Sequence, residues 1–154
     1  MYIMGIGYTL VCATNHGLHA RVSTQQNHKL TYRHKKNDEE NVQEWDLHYD
    51  VLGMAAKAGG FYSYVAGTSA VILNHTKFLN RKSPHTTNGL NICNYKTTLP
   101  MKKGLSSSAA VCVLVATAFN LIFDLGLDQA EIMEIAFQVR FCIISAFYMT
   151  YLPM

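Results

Sequence analysis

The groups in this chain best suited to holding an anion are concentrated in one run, Leu99-Pro100-Met101-Lys102-Lys103-Gly104-Leu105-Ser106-Ser107-Ser108-Ala109-Ala110. Gly104 lets backbone approach a ligand with no Cβ in the way. The hydroxyls of Ser106, Ser107 and Ser108 can donate to phosphate oxygens or ligate a magnesium ion. Lys102 and Lys103 add positive charge at the rim, and Ala109 and Ala110 begin a helix well while keeping its first turn thin. The chemistry this points to is the gripping of a phosphate group. Serine is also a favoured N-cap, so the same cluster could do no more than start a core helix.

What separates the two readings is the position of the run between elements. Asn91 to Thr98 alternates as a strand does and stops before Pro100, whereas Val111 to Leu125 is almost wholly apolar and long enough for a buried helix. The glycine and the serines therefore fall on a strand-to-helix turn. The first N–H groups of a helix have no partner within it, and the helix dipole places about half a positive charge there. Together these make an anion site.

The run resembles the second motif of the GHMP kinases (galactokinase, homoserine kinase, mevalonate kinase, phosphomevalonate kinase), P-x-x-x-G-L-x-S-S-A-A. Pro100, Gly104, Leu105, Ser107, Ser108, Ala109 and Ala110 fit it without a gap, and Ser106 matches the form common in sugar kinases. The resemblance implies an α+β fold, an α/β sandwich of the ribosomal protein S5 domain 2-like type with a left-handed βαβ crossover. It further implies that ATP lays its phosphates on Lys103, Gly104, Leu105, Ser106, Ser107, Ser108, Ala109 and Ala110. By motif position Ser108 would ligate Mg2+ and Ser107 would contact phosphate. The expected activity is ATP-dependent phosphorylation of a small-molecule hydroxyl, a sugar in the first instance. The alternative is a non-catalytic nucleotide-binding or sugar-sensing fragment of the same family.

By pattern, residues 1–138 follow the family's N-terminal, ATP-binding domain, and residues 139–154 form an apolar tail atypical of it. The family's first strand and substrate-binding motif would stand ahead of Met1, and its glycine-rich third motif is not found. No aspartate follows Asp128, so no catalytic residue is assigned. The chain is accordingly expected to be a truncated kinase domain with little turnover of its own.

The remaining elements are those that must hold the turn in place. Tyr8 to Thr14 and Leu18 to Thr24 read as a hairpin around Asn15-His16-Gly17, with His28 to His34 as a third antiparallel strand. Asn37 to Glu44 reads as a polar loop. Asp46 to Lys57 reads as a short helix closed by Gly59-Gly60, and Phe61 to Leu79 as one long helix. Small residues at Ala66, Gly67 and Ala70 would let that helix pack closely on the one after the serines. Asp128-Gln129-Ala130-Glu131 has capping-box form and opens a last helix.

Bulk properties narrow the class. The chain has 154 residues, 49% hydrophobic and 15% charged, with a formal charge of +3, which is globular and not disordered. The basic run Arg33-His34-Lys35-Lys36 is followed at once by Asp38-Glu39-Glu40, the pattern of a solvated segment and not of a nucleic-acid patch. Cys12, Cys93, Cys112 and Cys142 form no C-x-x-C pair and read as free thiols of a reducing compartment. With no basic segment ahead of the apolar N-terminus and no membrane-length apolar run, the expected location is cytoplasmic, without nucleic acid or membrane as partner.

Overall fold

A computed structural model of the chain describes residues 15–36, 39–80, 88–99 and 106–139. Four strands, β1 (Leu18–Gln25), β2 (Lys29–Lys36), β3 (Glu39–Asp46) and β4 (Gly89–Thr97), make one sheet in the order β1-β4-β2-β3. β4 pairs antiparallel with β1 and parallel with β2, and β2 pairs antiparallel with β3. β2 does run antiparallel to β1, as the sequence predicts, but the two are not paired as neighbouring strands. β4, more than fifty residues further on, is inserted between them. Tyr8 to Thr14, the expected partner of β1, lies outside the described residues.

One face of the sheet is apolar. Val22, Ile92 and Tyr32 stand opposite one another across β1, β4 and β2, with Leu90 and Leu30 beside them; the last four are fully buried. Helices α1 (Tyr49–Lys57), α2 (Tyr62–Leu73), α3 (Thr76–Leu79) and α4 (Ser107–Phe123) cover that face, followed by α5 over residues 129–139. α2 packs between α1 and α4, while α4 also lies on β1 and β4. α2 is buried almost all round, as a central helix must be. Its buried hydroxyls turn inward on its own backbone: Thr68 Oγ1 donates to the Tyr64 carbonyl at 2.7 Å and Ser69 Oγ to that of Val65 at 2.8 Å.

Two expectations need correction. The segment read as a polar loop from Asn37 to Glu44 is largely strand β3. Its polarity is that of an edge strand with one neighbour, where charge discourages further pairing. Only Asn41, Gln43 and Trp45 turn inward, and Trp45 packs on Tyr62 with ring centroids 6.0 Å apart. Exposed pairs between Lys29 and Glu44 (3.8 Å) and Arg33 and Glu40 (3.9 Å) tie it to β2. Such pairs contribute about 0–1 kcal/mol each. The helix expected from Phe61 to Leu79 is two helices. Extended backbone at His75 (ψ 139°) ends the first, and the His75 side chain then caps the second by accepting from the Lys77 N–H at 3.3 Å. The helix expected from Asp46 begins at Tyr49 and closes, as expected, into Gly59 and Gly60, both at positive φ.

The capping box at Asp128 is present in both directions. Glu131 N–H donates to Asp128 Oδ1 (2.9 Å) and Asp128 N–H to Glu131 Oε2 (2.8 Å). Glu131 also takes Lys77 Nζ at 2.7 Å, and the same ammonium donates to the Gly126 carbonyl at 2.8 Å. Lys77 thus pins α3 to the α4–α5 turn. The hydrogen bond from Lys77, followed by that from the Asp128 backbone, holds the Glu131 carboxyl below its ordinary value. A carboxylate with a depressed folded pKa adds stability above its unfolded pKa, and that stability is lost as pH falls through the folded value. Wild type is therefore expected to lose its advantage in Tm over Glu131→Gln as pH is lowered from neutral into the acid range. A difference independent of pH in paired melting curves would contradict this.

Candidate functional site

The site is built from the end of β4 and the start of α4. β4 is fixed at both ends. Its first residue, Gly89, lies against the turn that joins β1 to β2. At its far end, Thr98 N–H donates to the Gly17 carbonyl (2.9 Å) and Gly17 N–H to Thr98 Oγ1 (2.9 Å). Near that end β1 and β4 slip register between His19 and Ala20. The buried Asn94 amide, oriented by its surroundings, satisfies the backbone there. It donates to the carbonyls of Lys96 (3.0 Å) and His19 (3.1 Å) and accepts from Thr97 Oγ1 (3.1 Å). The bulge bends the strand as it leaves the sheet. Leu99, two residues past β4, is buried.

α4 begins at Ser107, so the serines stand where the sequence puts them, at the opening of a helix. The first intrahelical bond runs from Ala110 N–H to the Ser106 carbonyl at 3.2 Å. The amides of Ser107, Ser108 and Ala109 precede it and meet no acceptor among the described residues. Ser106 occupies the N-cap position, yet its side chain makes no capping hydrogen bond. Its backbone is left-handed (φ 52°, ψ 42°), a conformation uncommon outside glycine and one that clusters at functional sites. A serine that only capped the helix would have extended backbone and its Oγ on an N2 or N3 amide. Ser106 is exposed, and Ser107, Ser108, Ala109 and Ala110 are half-buried. Lys103, Gly104 and Leu105, the other proposed phosphate contacts, lie outside the described residues, as do Pro100 and Lys102.

The body of α4 anchors this opening. Val111, Cys112, Val115, Ala116, Phe119 and Phe123 are buried. Cys112 packs with Ala136 and Val139 of α5 and with Tyr64 and Val71 of α2. The expected close approach of α2 to this helix is therefore present. The start of α2 is ringed by aromatic groups. His34 lies 5.1 Å from Phe61 and 5.8 Å from Tyr62, and Phe61 lies 5.9 Å from Tyr32. Burial pushes the phenols of Tyr32 and Tyr62 above their ordinary value. Ser63, which sequence reading passed over, is buried here with its Oγ unpartnered among the described residues. A serine inside an apolar helix gives no signal of that kind, because back-bonding to the preceding turn is its usual fate. No cluster of three or more metal-ligating side chains occurs among the described residues. None of their helices is long and apolar enough to cross a membrane.

A mixed four-stranded sheet with helices on one face, and a helix opening shortly after one of its two inner strands, is an α+β fold. The family description "GHMP kinases N terminal domain" matches residues 63–147, more than half of the chain, and the chain belongs to the GHMP kinase family. Solved structures agree on the fold. A crystal structure of mevalonate kinase superposes with a TM-score of 0.60 at 17% identity, covering 82% of this chain and 37% of that one. The Methanococcus jannaschii mevalonate kinase gives 0.58 at 18%, covering 79% and 35%. The chain thus spans little more than a third of the length of these structures. Comparison with curated proteins gives no match.

Proposed function

We propose that this chain supplies the ATP-holding part of a small-molecule kinase, with a sugar hydroxyl as phosphoryl acceptor. The observation that carries the reading is the opening of α4. Three amides that meet no acceptor among the described residues, the left-handed backbone of Ser106, and the hydroxyls of Ser107 and Ser108 lie where a helix dipole favours negative charge. Family membership supports ATP as the anion. The amides of Ser107, Ser108 and Ala109 would hold phosphate oxygens, and Ser107 Oγ would add a hydrogen bond. Ser108 Oγ would be the protein's ligand to magnesium, an ion that keeps most of its shell as water and phosphate oxygen; magnesium would neutralise charge on the phosphates. Phosphoryl transfer depends chiefly on position and charge neutralisation, and a rigid helix start supplies the first. The three-serine form of the motif supports a sugar, whereas the solved neighbours are mevalonate kinases.

A second reading, binding without turnover, is favoured by the stretch after Asp128, which holds no aspartate to orient or deprotonate an acceptor. Release of ADP from magnesium-ATP, measured with galactose-type sugars, mevalonate and homoserine in turn, separates these. Any release from this chain is expected to be slow and to require a sugar. Release with mevalonate alone would overturn the choice of sugar, and ATP binding with no release in any case would favour the binding module.

A further inference from the structure

We propose that two copies of this chain associate through the open face of the sheet, about a twofold axis along the strands, with Arg21 of each copy set against the acidic strand β3 of the other. Residues directly opposite one another on paired strands share a face of the sheet. Val22, Ile92 and Tyr32 form one such row and face the helices, so the neighbouring row, Arg21, Cys93, Arg33 and Val42, is turned away from them. By the same alternation β2 presents Lys29, Arg33 and Lys35 on the open face, and β3 presents Glu40, Glu44 and Asp46. Charge is thus sorted by strand. It is positive on β1 and β2, negative on β3, and absent from the residues β4 places between them, Asn91, Cys93 and Tyr95. Apolar groups are left in water on this face as well, Val42 being 45% and Tyr95 48% exposed.

The charges on this face are only loosely used within one copy. Lys29 with Glu44 and Arg33 with Glu40 stand at 3.8 and 3.9 Å, near the limit of an ion pair, and both carboxylates are exposed. Arg21 has no carboxylate partner among the described residues and lies over the Tyr95 ring, 5.2 Å from its centroid, which steadies the guanidinium on the surface. Sheets packed face to face lie about 10 Å apart with strand directions within about 30° of each other. A twofold axis along the strands, between β4 and β2, exchanges the two edges. β1 then lies over β3 of the second copy, and Arg21, in the row of Val42, falls between the partner's Glu40 and the partner's Glu44. The cations of β2 meet the uncharged β4. An axis across the strands would stack β2 on β2 and β3 on β3, like charge on like, so charge selects the first arrangement. The contact is isologous, and each Arg21–β3 pairing occurs twice. Four strands about 4.8 Å apart, with about 3.3 Å per residue, make a face of about 500 Å². That is less than the roughly 800 Å² per partner of a standard interface, so the dimer is one that dissociates on dilution.

Sedimentation velocity of the full chain at low salt, from about 5 to about 500 μM, tests this. Wild type is expected to pass from monomer to dimer across that range, and to shift back toward monomer in about 0.5 M salt. Arg21→Glu and Glu40→Arg change exposed side chains, so their melting curves should match wild type, yet each alone should weaken association by about tenfold or more. An equimolar mixture of the two variants should restore it, because in the mixed dimer both pairings again join opposite charges. A wild type that stays monomeric throughout, a single variant that associates as well as wild type, or a mixture no better than its components would each overturn the proposal.

Discussion

Gly89→Ala is expected to be the most damaging single-methyl change in the described structure, costing more than about 4 kcal/mol, the range reserved for a clash or a lost core. Gly89 opens β4 at the point where that strand slides between β1 and β2. A Cβ there would overlap the carbonyl oxygens of Asn27 and Lys29 and stand 2.7 Å from Lys29 N. All three are backbone atoms, and Lys29 N–H is already committed to the Asn27 carbonyl at 2.8 Å. No side chain can rotate away, so either the β1–β2 turn opens or the pairing of Gly89 with Gln25 is lost. Because β4 is an inner strand, paired on both sides, and feeds the serine turn, urea unfolding of the variant should show no native baseline at room temperature. A midpoint close to wild type would mean that the turn and β4 do not meet in this way.

Phe119→Ala is expected to cost about 3–5 kcal/mol through the cavity it leaves. Phe119 is fully buried in α4 and meets Phe123 at 5.5 Å and Phe78 at 6.2 Å, while Phe78 and Phe123 meet at 5.3 Å. This trio joins α3 to α4, and Lys77 ties α3 to the α4–α5 turn. The two remaining rings, Phe78 and Phe123, cannot collapse onto an alanine without moving a helix, so the upper part of the range applies. Thermal melting of Phe119→Leu beside Phe119→Ala checks the mechanism, since leucine refills much of the volume and should recover most of the loss.

Local features of this fold were legible and non-local ones were not. The Asp128–Glu131 box, the glycine stop after α1, the apolar run of α4 and the alternation of β4 each rest on residues within one turn or one strand of each other, where spacing alone decides. The place of β4 between β1 and β2 depends on a crossover through α1, α2 and α3, and no nearby residue encodes it. β3 was missed because its signal, Asn41, Gln43 and Trp45 alternating with charge, is that of an edge strand with little to bury. The division of α2 from α3 was missed because the run stays apolar through Ile72 and Leu73, and the break comes from one extended residue, His75. At the candidate site the serines and the helix start were legible. The left-handed backbone of Ser106 was not, because serine has no preference for it and the surrounding structure imposes it.

The claim on which the functional reading stands is that the opening of α4 holds a nucleotide's phosphates. Isothermal titration of the folded chain with magnesium-ATP, repeated on Ser108→Ala, tests it most directly. The account predicts measurable binding in wild type, weakened by roughly tenfold or more, about 1.4 kcal/mol, in the variant. A folded wild type that takes up no magnesium-ATP, or a Ser108→Ala variant that binds it as well as wild type, would contradict it.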